Sequence, residues 1–390
     1  MRPIRATFRP TTRYYYGVIA RNVAARGVDA VLVAKELGEK LVAADLKLAI
    51  VFADSAIDQP TLARELSNIL GAVPVVGCSA SAVVGAPGAT AVALGLYGDH
   101  VRAGIGVATE LSKAAQPRSR AAVERAAAAL GLTCETLDPA RHVMVTVFEG
   151  SQHTDEAFCF ASAASAPQLR TVGGAASMRR SDGGPRRVWA HGEPLADTGI
   201  VIILEPGVKF EAFTSSHLEA TDLRCVVTAA HDRIITELDG LPATKRFADL
   251  IGKLGGSLGL HTRSEFTFAR LIDGVPYVRG LAAILPDALE LACSVATGHV
   301  LRIVQPGNLV QQTAVDLEAV AQRLGSIGSL LVFSSTLRAL EAQTHGLADE
   351  LAQVFGRYPT TGLQCSGEQS GMLFVNHTLT ALALGGGHGG

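Results

Sequence analysis

Three stretches of the chain repeat one order of apolar and polar runs. The first reads LAIVFADS, then a helical TLARELSNIL, then PVVGCSA, then ATAVALGL, over residues 48–96. The second, over 142–204, reads VMVTVFEG, EAFCFASAA, LRTVGGAAS and TGIVIILE. The third, ending at residue 384, reads SLLVFSST, EAQTHGLADELAQVF, PTTGLQCSGE and NHTLTALAL. Continuous apolar runs bounded by Gly-rich turns predict buried strands, and the stretches between them have helical spacing. Each copy therefore predicts strand, helix, strand, turn, strand. Phe52 to Gly77 spans 25 positions and so does Phe148 to Gly173, while Phe333 to Gly362 spans 29, about one helical turn more. The uneven spacing between copies argues against a solenoid.

The intervening segments complete the pattern. Val28, Val31, Leu32, Ala34, Leu37 and Leu41 predict a helix over 27–44 that packs on the first sheet. An Ala-rich helix is expected over 114–130. Alternation over 226–235 predicts a hairpin, followed by a turn at Asp239-Gly240 and a short helix over 244–250. Two more strand pairs turn at Asp273-Gly274 and Thr297-Gly298, and a helix over 312–325 leads into the third copy. The fold class is mixed α/β in two domains, with sheets flanked by helices and built from repeated β-α-β-β units. The divisions are a basic arm at 1–26, a first domain at 27–222, a second at 223–384 and a Gly-rich tail at 385–390.

Composition narrows the classes. The 390 residues are 48% hydrophobic and 18% charged, which supports full cores and excludes general disorder. A net charge of −2 gives no reason to expect a nucleic-acid partner. The six cysteines form no CxxC pair, which predicts reduced thiols in a cytoplasmic protein and no zinc module. Residues 67–98 carry no charge, but Gly71, Pro74, Gly77, Gly85, Pro87 and Gly88 interrupt the run, so buried strands explain it better than a membrane span. Arg2, Arg5, Arg9 and Arg13 precede no apolar segment, which does not predict a secretory signal.

The motifs VVGCSA at 75–80, TVGGAAS at 171–177, VVTAAHDRIITELDGLPA at 226–243, VPYVRGL at 275–281 and GEQSGMLFVNHT at 367–378 occur in one order along the chain. In this they resemble the FIST family of sensory proteins, a FIST N domain (27–222) followed by a FIST C domain (223–384). The stretch FEAFTSSHLEA around His217, with LLVFSSTLRALE at 330–341, resembles the nitric-oxide-sensing haemoprotein branch of that family. The resemblance implies haem b held by a protein histidine. It also implies a gaseous ligand and a histidine kinase or cyclic-di-GMP enzyme as partner. No enzyme activity is expected, because no Cys-His-Asn arrangement can be read from the sequence and free cysteines mostly pack. Three departures concern the ligand: Ser81-Ala82-Val83 lacks a usual Glu, Cys365-Ser366-Gly367-Glu368 replaces Thr-Tyr-Gly-Glu, and Val375-Asn376-His377-Thr378 replaces His-Asn-Gln-Thr.

A haem site needs a neutral imidazole, an apolar slot and polar groups for the propionates. His217 follows the run containing Phe213 and is flanked by the small Ser215 and Ser216, so it is the candidate metal ligand. An ordinary buried histidine bonded to a carbonyl is the competing reading. His153 follows the strand ending at Phe148 and is the second candidate. Arg179, Arg180, Arg186 and Arg187 could hold propionates or form a solvated loop; Glu368 sits at a turn tip. Asp54, Ser55 and Asp58 lie where a strand gives way to a helix, a place where carboxylates usually cap.

Two other classes stay open. One is a haem-free sensor of a small metabolite such as an amino acid, with Arg279 or Arg302 as a carboxylate clamp. The other is an enzyme using Cys365 or Cys78 with Glu368 and His377. A homodimer is compatible with the apolar strands.

Overall fold

The computed structural model describes residues 20–150, 154–179, 185–259, 261–272 and 274–386. Three of its sheets are built on one plan. The first repeat runs from strand Ala20–Ala25 through helix α1 (Ala30–Leu41), strand Leu46–Asp54, helix α2 (Gln59–Leu70), strands Val75–Ala80 and Val83–Val84, to strand Ala91–Tyr97. The second runs from Arg102–Ala108 through α3 (Leu111–Ala129), Val143–Phe148, α4 (Asp155–Ser165), Thr171–Ala175, the hairpin Val188–Ala190 and Glu193–Leu195, to Gly199–Glu205. The repeated unit is thus longer than the sequence pattern suggested, because a strand and a helix precede each copy.

The third repeat is split. Its leading strand, Phe210–Ser215, pairs with Leu379–Gly385 at the far end of the chain. A fourth, antiparallel sheet occupies residues 218–306 between that strand and the rest, and its core packs on helix α5 (Ala243–Gly252), with the short α6 (Thr262–Glu265) nearby. The repeat then resumes with α7 (Leu309–Leu324), strand Ile327–Ser335, helices α8 (Thr336–Thr344) and α9 (Ala348–Gly356), strand Thr360–Cys365, the hairpin Glu368–Ser370 and Leu373–Val375, and Leu379–Gly385.

In every repeat the strands flanking the second helix are parallel and the last strand is antiparallel to the first of them. The three sheets interlock by exchange. Val83–Val84 of the first repeat joins the third sheet, the third repeat's Glu368–Ser370 joins the second, and the second repeat's Val188–Ala190 joins the first. The exchange closes a ring. Each sheet turns one face inward to a shared core holding Phe52, Val76, Val145, Val172, Ile202, Phe333 and Leu363, and the helices cover the outer faces. The exchange needs close approach: a Cβ on Gly77 would stand 2.2 Å from the ring of Trp189, carried in by the second repeat's hairpin.

The registers correct one reading. Gly77, Gly173 and Gly362 lie opposite Val51, Thr146 and Val332. Phe52 and Phe333 are therefore equivalent, but their counterpart in the second repeat is Val147. Phe148 is one residue out of register and points outward, where it packs on Phe158 and Phe374. A one-residue slip moves a strand side chain to the other face, so the matching count of 25 came from positions that do not correspond.

The charge-free run at 67–98 forms the end of α2 and three strands. Among the described residues, no helix is long and apolar enough to cross a membrane. Asp273, residues 1–19 and the tail beyond residue 386 lie outside the described residues, and the arm expected over 1–26 ends earlier, because Ala20–Ala25 is a strand paired with Ala91–Tyr97.

Candidate functional site

Helix α8 carries the densest polar chemistry. Ser335 starts it, its hydroxyl accepting from the Leu337 amide at 3.3 Å and the His377 amide at 3.0 Å. Arg338 and Glu341, three positions apart, share the buried face of the helix. Glu341 accepts from His217 Nε2 at 2.7 Å and from His377 Nε2 at 2.8 Å. Arg338 donates from Nη1 to His217 Nδ1 at 3.3 Å and from Nη2 to Thr313 Oγ1 of α7 at 2.7 Å. Because a guanidinium only donates, Nδ1 of His217 is the bare nitrogen and Nε2 carries the proton facing Glu341. His377 reaches the carboxylate from a left-handed backbone, φ 56°.

Burial raises the cost of every charge in this quartet. It works to raise the Glu341 carboxyl, but hydrogen bonds from the two histidines outweigh it and hold the group at about 2. Burial pulls Arg338 down to about 10. Burial also lowers His217, against the pull of Glu341. Arg338 and Glu341 thus bring one cation and one anion to the buried set.

This geometry does not fit the haem expected at His217. Both ring nitrogens are engaged, the side chain is 0% exposed, and the ring stands edge-on to His377 with centroids 5.6 Å apart. His217 therefore offers no free nitrogen for iron, and its ring, enclosed among described residues, faces no slot for a macrocycle. A bare metal ion fits little better. The donor atoms of His217, Glu341 and His377 lie within 4.8 Å of one another. A dication there would displace both Nε2 protons and sit beside buried Arg338, the cation that already faces Glu341 across the cluster.

The other candidates do not converge on His217. Phe213 is half-buried on a strand of the third sheet, beside the core under α7 and α9. Glu368 is buried, accepting from the Thr378 amide at 3.1 Å, the Thr378 hydroxyl at 2.6 Å and the Cys365 thiol at 3.2 Å. His153 and Arg180 lie outside the described residues. Arg186 donates to the Gly150 carbonyl, and Arg187 is tied through its backbone amide to Ser79. Arg279 is buried against the Phe374 carbonyl, whereas Arg302 lies half-buried near exposed Asp222, so the two form no common clamp. Burial raises the thiols of Cys78 and Cys365 far above the ordinary range.

Burial also pushes Glu368 up, to about 8 against an ordinary value of 4.5, although three donors favour its charged form. The folded chain then holds a proton that the unfolded chain releases, so stability falls as pH rises from about 4.5 towards 8. Glu368→Gln removes this slope. Urea midpoints of the two proteins, measured across that range, should diverge with increasing pH; parallel curves would reject the assignment.

Arg179 belongs to a different place, a cavity of about 250 Å³ between the first and third repeats. Residues 82–89 form one wall, Ala339, Ala342 and Gln343 of α8 with Leu351 and Phe355 of α9 form another, and Ser334 and Gln364 also line it. At its polar end the Arg179 guanidinium pairs with Asp54 and donates from Nε to the Ser81 carbonyl at 3.1 Å. Asp54 is therefore more than a cap. It accepts from the Ala56 amide at 3.0 Å and faces the cavity, while Asp58 caps α2 through the Thr61 amide. A larger open depression of about 800 Å³ lies between α3 and α4, but none of its polar lining residues is buried.

The family model of the FIST N domain matches residues 47–241, and that of the FIST C domain matches 243–371. The chain belongs to the FIST family. FIST domains are associated with sensing and signal transduction. The two FIST models meet inside the fourth sheet, between strand Leu241–Pro242 and α5. No curated protein sequence matches this FIST chain. Among solved structures, a cyanuric acid hydrolase from A. caulinodans is similar at 11% identity and TM-score 0.39, over 94% of this chain and 99% of that one.

Proposed function

We propose that this FIST protein is a haem-free sensor of a small amphipathic metabolite, of amino-acid size, bound in the cavity between the first and third repeats. The supporting observation is the pairing of an apolar cavity with buried Asp54 and half-exposed Arg179 at one end. A ligand head that both donates and accepts can share the two charged groups, while its apolar body meets Val83, Ala342, Leu351 and Phe355. About 250 Å³ suits a small metabolite and is far too little for haem. The raised thiols support a sensor over a cysteine enzyme, because the thiolate is the nucleophile. The histidine kinase or cyclic-di-GMP enzyme implied by the family resemblance is the partner class to which binding would be reported.

Thermal denaturation with a panel of free amino acids and small amphipathic acids tests the reading. At least one compound should raise the melting temperature, and Arg179→Met should weaken its binding by about tenfold or more through loss of a charge-assisted hydrogen bond. A panel without effect, together with a Soret band that moves under nitric oxide after haem is added, would return the protein to gas sensing through a histidine other than His217.

A further inference from the structure

The fourth sheet is inserted into the third repeat, and the chain crosses between them twice, once from Ser215 to Leu218 and once from Pro306 to Leu309. These crossings are side by side. The Gly307 amide donates to the His217 carbonyl at 2.8 Å, and Leu218 pairs with Pro306 across the first rung of the sheet. His217 and Gly307 therefore form the joint on which the inserted sheet is mounted. There is no room to spare at the joint, since a Cβ on Gly307 would stand 2.8 Å from the His217 carbonyl oxygen.

The buried quartet grips this joint. The His217 ring is held by Glu341 and Arg338, and Arg338 also holds Thr313 of α7, the helix that starts just after Gly307 with Asn308 as its cap. The adjoining side of the same helix, α8, presents Ala339, Ala342 and Gln343 to the cavity. The helical repeat of 3.6 residues puts 338 and 341 on one side and 339 and 343 on the next, with 342 between them.

We propose that α8 couples occupancy of the cavity to the setting of the fourth sheet, with the Arg338–His217–Glu341–His377 quartet as the link. The proposal rests on the cavity being the ligand site. An exposed contact slips when a helix shifts, but pulling α8 away from His217 would leave the buried charges of Arg338 and Glu341 short of a hydrogen-bond partner, so the set moves as a unit. A shift of α8 thus carries His217, and with it both crossings. The far side of the sheet is held to α4 by Arg233 on Asp155 and Glu156 and by Ser294 on Glu156, which limits the response to a tilt about the joint. The ligand acts by binding one setting more tightly than the other.

The test fills the cavity with a side chain instead of a ligand. Ala339→Leu projects into it from a half-buried position. Hydrogen exchange of the full chain should change by at least about fivefold at backbone amides of 218–231, 300–306 and 309–313, beyond the cavity walls. Adding Thr313→Val, which removes the Arg338 anchor on α7 without changing side-chain volume, should erase the response in 309–313 and leave the cavity-wall response intact. Changes confined to 82–89 and 336–356 would overturn the coupling. Gln343→Leu, which enters the cavity from an exposed position, gives the same two outcomes if Ala339→Leu folds poorly. A metabolite that binds while these variants respond only locally defeats the coupling and leaves the ligand site standing. Variants that respond at a distance, in a protein for which no metabolite is found, do the reverse.

Discussion

Glu341→Ala should lower the stability of the folded chain by about 3–5 kcal/mol, the cost of leaving a buried charge without its partner. Arg338 is 0% exposed and Glu341 is the anion of its cluster, so removal of the carboxylate leaves a guanidinium in a nearly dry site. The two imidazoles lose their acceptor as well, and His377 already has an unpartnered Nδ1. Protein relaxation cannot bring water in cheaply, because His217, Arg338, Glu341 and His377 are all buried. Glu341→Gln should cost less, since its amide oxygen still accepts from one histidine. The double variant Arg338→Met, Glu341→Leu should recover much of the loss, because both charges leave together. Urea denaturation followed by circular dichroism measures all three. A loss below about 1 kcal/mol for Glu341→Ala would mean that water reaches the quartet and screens its charges as at a surface.

The quartet was also the part of the site least legible in the sequence. Its four residues come from positions 217, 338, 341 and 377, and nothing local joins the first to the last. His217 stood out as a histidine among small residues, but its role turns on Glu341 and Arg338, which entered only within the motif at 330–341 and were given no role of their own. A signal was present: two opposite charges three apart on α8 share a face with buried Ala342 nearby, so that face could not be a solvated one. The strand–helix–strand order of each repeat was legible because buried strands are continuous apolar runs. The exchange of hairpins was not, because Val83–Val84 is only two residues long and pairs with a strand almost 280 positions away. Arg179 was marked as a possible anion ligand from its cluster, yet of the described members Arg179, Arg186 and Arg187 only Arg179 lines the cavity. Asp54 was read as a cap on position alone, and its second contact, with Arg179, crosses between repeats.

Phe333→Ala should cost about 3–5 kcal/mol and should weaken all three repeats together. Phe333 is fully buried on the inward face of the third sheet, with its ring edge-on to Phe52 of the first at 5.8 Å. It also presses on the second: a Cβ at Gly174 would stand 2.9 Å from its ring. One side chain thus touches the inner faces of all three sheets, and its removal leaves a void that no single sheet can fill without pulling on the hairpins exchanged with its neighbours. That restraint on relaxation puts the cost near the top of the usual range for a buried aromatic, since the penalty grows with the cavity that persists. Phe148→Ala provides the contrast, because Phe148 packs on the outer face of the second sheet alone, against Phe158 of α4 and Phe374 of the hairpin exchanged into that sheet. Calorimetry separates the two cases. Phe333→Ala should shift a single transition of the three repeats to lower temperature, whereas a transition that splits, with one repeat melting ahead of the others, would show that the sheets do not share one core.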